Sequence, residues 1–124
     1  MRGSMPKILL VEGNAHLRTF LTRVLHECGC EVEAAGNYDE GLRQAQVNHF
    51  SFCLTDESLP DGSGSDLCRK IHTLDAEVPV VVCYSHDGQR NAAMEAGALA
   101  TVKIGDFMTC QLKQVMNHLL GFGL

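Results

Sequence analysis

Four places in this chain carry side chains with chemistry that a single edge of a fold could gather: Glu12, Asp56, the Tyr84-Ser85 pair and Lys103. Asp56 is the most telling of them. It follows a short apolar run, Phe52-Cys53-Leu54, and precedes Leu59-Pro60-Asp61-Gly62, where Pro fixes φ and Gly supplies the permissive backbone of a turn. A carboxylate at the C-terminal end of a strand, with a rigid turn behind it, is how an α/β protein presents a reactive group. The plainer reading is an aspartate that merely caps the next turn, and this stretch alone does not separate the two. The other three places also end apolar runs. A simple strand boundary accounts for one or two such residues more readily than for all four.

The elements that would position them read in order. Lys7 to Val11 is apolar throughout, as suits a parallel strand covered on both faces. Asn14 is a plausible N-cap, and Leu17, Phe20, Leu21, Val24, Leu25 and Cys28 then form a helical stripe that Gly29 ends. Glu31 to Ala35 alternates polar with apolar, the pattern of an edge strand with one wet face. Asn37 and Glu40 resemble a capping box for a helix over 38–48, with Tyr38, Leu42 and Ala45 on one side. After the Asp56 strand and its turn, Leu67, Cys68, Ile71 and Leu74 mark a short helical face. Pro79 to Cys83 is β-branched and uncharged, a strand, followed by a polar loop over 84–88. A helix over 89–96 closes at Gly97, a strand spans 99–103, and Thr109 caps a last helix with Leu112, Val115, Met116, Leu119 and Leu120 inward.

Strand then helix, five times over, predicts a doubly wound α/β fold: a five-stranded parallel sheet in the order 2-1-3-4-5 with helices on both faces. Sites in such sheets lie beyond the carboxyl ends of the strands, where the strand order reverses. That edge is where Glu12, Asp56, Tyr84-Ser85 and Lys103 fall.

The remaining composition narrows the class. A chain of 124 residues with 45% hydrophobic and 20% charged residues predicts one globular domain. A net charge of −5, with ten Lys and Arg that form no run, argues against a nucleic-acid surface. No apolar stretch reaches membrane-spanning length and no signal-peptide pattern opens the chain, so a cytoplasmic location is expected. Residues 1–4 read as an expression-tag remnant ahead of a domain over 5–124. The six cysteines, at 28, 30, 53, 68, 83 and 110, show neither Cys-x-x-Cys nor zinc-ligand spacing. Reduced, structural thiols are expected. Nor does a nucleophile–base pair, a Gly-rich phosphate loop or a cofactor fingerprint appear, which leaves little behind an independent enzyme.

Over Lys7 to Leu120 the chain resembles the receiver domain of two-component response regulators. The carriers are Ile8-Leu9-Leu10-Val11 followed by an acid, Asp56-x-x-Leu59-Pro60 with Gly64, Leu67-Cys68-Arg69-Lys70-Ile71, Pro79-Val80-Val81 and Ala96-Gly97-Ala98. The resemblance implies a flavodoxin-like fold and a phosphoryl group taken onto Asp56 from a sensor histidine kinase or phosphotransfer protein. It implies Mg²⁺ held by Glu12, Asp56 and the carbonyl of Ser58. It further implies a hydroxyl after the fourth strand and Lys103 on the phosphoryl oxygens, and a downstream output protein or domain as the reader. The incoming charge, near −2, is what the metal and the cation must offset.

Departures from the pattern put part of this in question. The acidic pair reads Glu12-Gly13, so one carboxylate is longer and the other is missing. Mg²⁺ demands near-octahedral oxygen ligands, and water replaces a ligand but not its charge. Counting from Pro79, the hydroxyl position falls on Tyr84, with the chemically better Ser85 one residue late. Lys103 comes one residue early, without a Pro behind it, and the aromatic switch position near Ala100-Thr101 is empty. Two readings stand: a receiver that accepts phosphate on Asp56 over weakened Mg²⁺, or a phosphorylation-independent pseudo-receiver that acts as a protein-interaction module.

Overall fold

The computed structural model describes residues 5–121; the tag remnant expected over 1–4 lies outside the described residues. The chain runs β1 (Lys7–Val11), α1 (Ala15–Glu27), β2 (Glu31–Ala35), α2 (Tyr38–Val47), β3 (Phe52–Asp56), β4 (Ser58–Leu59), β5 (Gly62–Ser63), α3 (Gly64–Leu74), β6 (Val80–Tyr84), α4 (Asp87–Glu95), β7 (Ala100–Lys103) and α5 (Met108–Leu120). Five strands form one sheet in the order β2-β1-β3-β6-β7, and all four pairings are parallel. This is the predicted 2-1-3-4-5 order. The two short strands β4 and β5 stand apart as an antiparallel hairpin built on the Pro60-Asp61 turn, an addition to the five expected strands.

Period-two alternation divides the core between the two faces. Ile8, Leu10, Phe52, Leu54, Val81 and Val102 meet Leu21, Val24 and Leu25 of α1 and Leu112 and Met116 of α5. Leu9, Val11, Cys53, Val80 and Val82 meet Leu67, Cys68 and Ile71 of α3 and Ala93 of α4. Asn14 does cap α1, its side chain accepting from the Leu17 N–H at 2.9 Å. Asn37 caps α2 through the Glu40 N–H at 2.8 Å. The return bond of that box is displaced by one residue, for Glu40 accepts from the Gly36 N–H.

Several boundaries differ from the sequence reading. Tyr84 ends β6 rather than opening the loop, and α4 starts at Asp87, so the loop between them is short. The last helix is capped at Phe107, with Thr109 inside it, because a turn at Gly105 (φ 153°) brings the Met108 N–H onto the Gly105 carbonyl at 3.1 Å. Phe20 and Leu74, placed on inward stripes, are 42% and 49% exposed at the margins of those stripes. All six cysteines are free; Cys28, at the C-cap of α1, is half-buried and packs against the core that the α1 stripe faces.

Candidate functional site

The carboxyl edge of the sheet brings the expected residues to neighbouring strand ends. Asp56 is the last residue of β3, opposite Cys83 of β6, and is half-buried. Glu12 follows β1, where its N–H donates to the Ala35 carbonyl at 3.0 Å. Tyr84 and Lys103 face each other as the terminal residues of β6 and β7. Ser85 lies just beyond, exposed, as does Ser58 beyond Asp56.

Glu12 is the most constrained of these groups. Only 2% of it is exposed, its Oε2 accepts from the Asn14 N–H at 3.0 Å, and its buried Oε1 has no hydrogen-bond partner among the described residues. Burial pushes its carboxyl up to about 7 from an ordinary 4.5, against the pull of the Asn14 N–H and of Arg18. Asp56 beside it adds to the rise, by its charge and by accepting a hydrogen bond from the protonated form. Asp56 is itself raised, first by burial, while the N–H groups of Ser58 and Glu57 favour its ionised state. Burial and the neighbouring Asp56 charge thus favour the protonated form of Glu12. A cation would satisfy the orphaned oxygen equally well.

The donor set suits a hard, oxygen-seeking cation in kind: two carboxylates and the Ser58 carbonyl. It is short in charge, since no third His, Cys, Asp or Glu side chain converges with them among the described residues. Position 13, where a further acid would be needed, is a close approach. A Cβ built on Gly13 stands 3.0 Å from Cδ and 3.2 Å from Cγ of Pro60. Lys103 is exposed and forms no ion pair among the described residues; its N–H donates to Gln111 Oε1 at 3.2 Å. Its charge is free to meet an anion at the sheet edge.

Four contributors escaped the sequence reading. Arg18, one turn into α1, donates to the Glu12 carbonyl at 2.7 Å. Glu57 is buried and accepts from the Ser65 N–H at 2.9 Å and the Ser65 hydroxyl at 2.7 Å, which pins α3 behind the acceptor strand. Asp61 reaches from the hairpin to the start of α2, accepting from Tyr38 and Asp39 N–H groups at 2.6 and 3.1 Å. Desolvation opposes them, but together the backbone N–H groups hold its carboxyl below its ordinary value. Gln89 spans two loops, accepting from the Ser85 N–H at 2.8 Å and donating to the Ser58 hydroxyl at 2.9 Å. Each acts across a distance in sequence that no local pattern records. Gly64, by contrast, was part of the sequence pattern, and its reason is now visible: a Cβ there would stand 2.5 Å from the Asp56 carbonyl.

Comparison with known proteins points one way. The family model described as the response regulator receiver domain matches residues 8–103. The chain is 32% identical over 108 residues to the response regulator protein PilR of Pseudomonas aeruginosa, covering 86% of this chain and 23% of that protein. It spans 23% to 64% of the length of three curated relatives that it matches. Among solved structures, a CheY-like receiver domain protein from Methanospirillum hungatei superposes with a TM-score of 0.85 at 25% identity, over 94% of each chain. The receiver domain of the sensor histidine kinase PA1611 from Pseudomonas aeruginosa has a TM-score of 0.86 at 23% identity, over 95% of this chain and 99% of that one. At that identity the second likeness speaks to the fold; that protein's own structure holds a magnesium ion in its active-site cleft.

Proposed function

The chain belongs to the response regulator receiver domain family of two-component signalling, and from that premise we propose that Asp56 accepts a phosphoryl group over a weakened Mg²⁺ site. The observation that carries the reading is the Glu12–Asp56 pair: a buried and a half-buried carboxyl at adjacent strand ends, the buried one with an unpartnered oxygen. Glu12, Asp56 and the Ser58 carbonyl would hold the metal, which supplies the positive charge that a transferred phosphoryl group needs. Burial raises the Asp56 carboxyl, and the neighbouring Ser58 and Glu57 backbone N–H groups work against that rise, toward the ionised form that attacks. Lys103 stands ready as a counter-charge. Ser85, or Tyr84 at the strand end, offers the hydroxyl. In the transfer, the Asp56 carboxylate forms the new P–O bond while the donor's bond to phosphorus breaks, the donor being a phosphohistidine of a kinase or phosphotransfer protein in the cytoplasm. The domain acts as an acceptor rather than as a turnover enzyme, and an output protein or domain reads its state.

The glycine at position 13 favours a second reading, a pseudo-receiver that docks partners without phosphate, because it leaves the metal one carboxylate short and a Cβ there would stand 3.0 Å from Pro60 Cδ. Intact mass spectrometry after incubation with acetyl phosphate and Mg²⁺ separates the two. The proposal expects one added phosphoryl group on the wild type and none on Asp56→Asn. An unmodified wild type at saturating donor and metal would leave the pseudo-receiver.

A further inference from the structure

Parallel pairing sets Asp56 opposite Cys83, and the Glu57 N–H donates to the Cys83 carbonyl at 2.9 Å. The two chains then run on side by side, to Ser58 after β3 and to Ser85 after β6. One side chain crosses between them. Gln89, in the first turn of α4, takes the Ser85 N–H with its Oε1 at 2.8 Å and gives its Nε2 hydrogen to the Ser58 hydroxyl at 2.9 Å. His86, the N-cap of α4, makes no side-chain capping bond, so this bridge is what ties the turn to the neighbouring loop.

We propose that Gln89 is a latch over the acceptor site, and that its amide and a phosphoryl group on Asp56 compete for the Ser85 N–H. The inference rests on the reading of Asp56 as acceptor. Since Asp56 ends β3 opposite Cys83, a phosphoryl group there would extend toward the gap between Ser58 and Ser85 that Gln89 spans. It brings acceptor oxygens and, as a dianion, no donor. Bonds from an N–H to an anionic oxygen are roughly twice as strong as those to a neutral amide, so the phosphoryl group wins the donor. It does so only after the Gln89 bridge opens, and that opening opposes every phosphorylation event.

The bland alternative is a half-buried glutamine that merely steadies the start of α4. Removing it would then leave anion binding unchanged or weaken it. Titration of the described chain with beryllofluoride and Mg²⁺, followed by ¹H–¹⁵N amide spectra, separates the two. Gln89→Ala should bind the probe roughly three- to tenfold more tightly than wild type, the worth of about one net hydrogen bond. Its Ser85 amide should shift before any probe is added. Gln89→Glu keeps an acceptor for Ser85 but adds a like charge beside the anion, and should bind more weakly than wild type. Equal or weaker binding by Gln89→Ala, with wild type binding normally, overturns the latch alone. Binding by neither protein overturns the latch and the acceptor reading together. An unshifted Ser85 amide in Gln89→Ala also contradicts the latch.

Discussion

Glu12 carries the clearest residue-scale consequence, because its proton is held by the fold. Between its ordinary value of 4.5 and about 7, the native protein keeps a proton that the unfolded chain has released. Stability from this group is therefore complete below the lower value and declines as pH rises to the upper one. Glu12→Gln removes that decline. In metal-free buffer the variant should gain on wild type from about pH 5 to about pH 8, by at most roughly 3 kcal/mol at one pKa unit per 1.36 kcal/mol; denaturant curves that stay parallel over that window would contradict it. Gly13→Asp is the matching change on the metal side. It should tighten Mg²⁺ by at least about tenfold, in line with ligand-shell effects, provided that the Pro60 ring yields the few tenths of an ångström its Cβ needs. Titration of amide shifts at Glu12 and Asp56 with Mg²⁺ checks this, and a flat affinity would mean that Glu12 already fills the place. The sequence named Asp56, Glu12 and Lys103 because each ends an apolar run. It did not name Arg18 or Glu57, whose bonds to Glu12 and Ser65 lie within single connections but follow no periodicity, nor Gln89, which joins the loops after β3 and β6.

At the scale of elements, the hairpin between β3 and α3 holds the site's floor in place. Gly64 lets α3 start directly beneath the acceptor strand, with 2.5 Å between a would-be Cβ and the Asp56 carbonyl. Gly64→Ala should destabilise the protein by about 1–3 kcal/mol, the usual cost of overpacking, and shift the Asp56 amide; thermal melts and one amide spectrum test both. Asp61 works from the hairpin's tip as a second cap for α2, beside Asn37. Asp61→Ala should cost about 1 kcal/mol, as cap losses do, and raise amide exchange at Tyr38 and Asp39. A variant whose exchange there matches wild type would show that Asn37 alone suffices. Strands and helices were legible because each has its own periodicity, down to the caps at Asn14 and Asn37. The hairpin was not, since two residues on each side carry no period. Nor was the true start of α5, which a glycine turn at 105 sets in place of a Thr109 side chain.

Over the whole molecule, two apolar layers enclose a parallel sheet and leave one edge polar. The strand order was legible because right-handed crossovers leave few ways to arrange five strand–helix units. Burial also orders the thiols: Cys30, Cys53, Cys68 and Cys83 are buried, Cys28 is half-buried and Cys110 is exposed. A thiol reagent should count six after denaturation without reductant, and in the native protein Cys110 should react first; four or fewer would reveal a disulfide. Signal output, by contrast, depends on motion, and a ligand shifts an equilibrium only through contacts that differ between its states. In the proposed receiver, Tyr84 at the end of β6 would be a bulky stand-in for a small hydroxyl, and Ala100 and Thr101 would offer no ring to move. The proposed molecule is thus a phosphoacceptor with a weak metal site and a poor switch. The most direct measurement is an amide shift map of the wild type with and without Mg²⁺ and beryllofluoride. Saturable changes confined to the neighbourhood of Glu12, Asp56, Ser85, Gln89 and Lys103 are the predicted result; large changes spreading through Arg90 to Ala96 and along α5, or no saturable change anywhere, would contradict it.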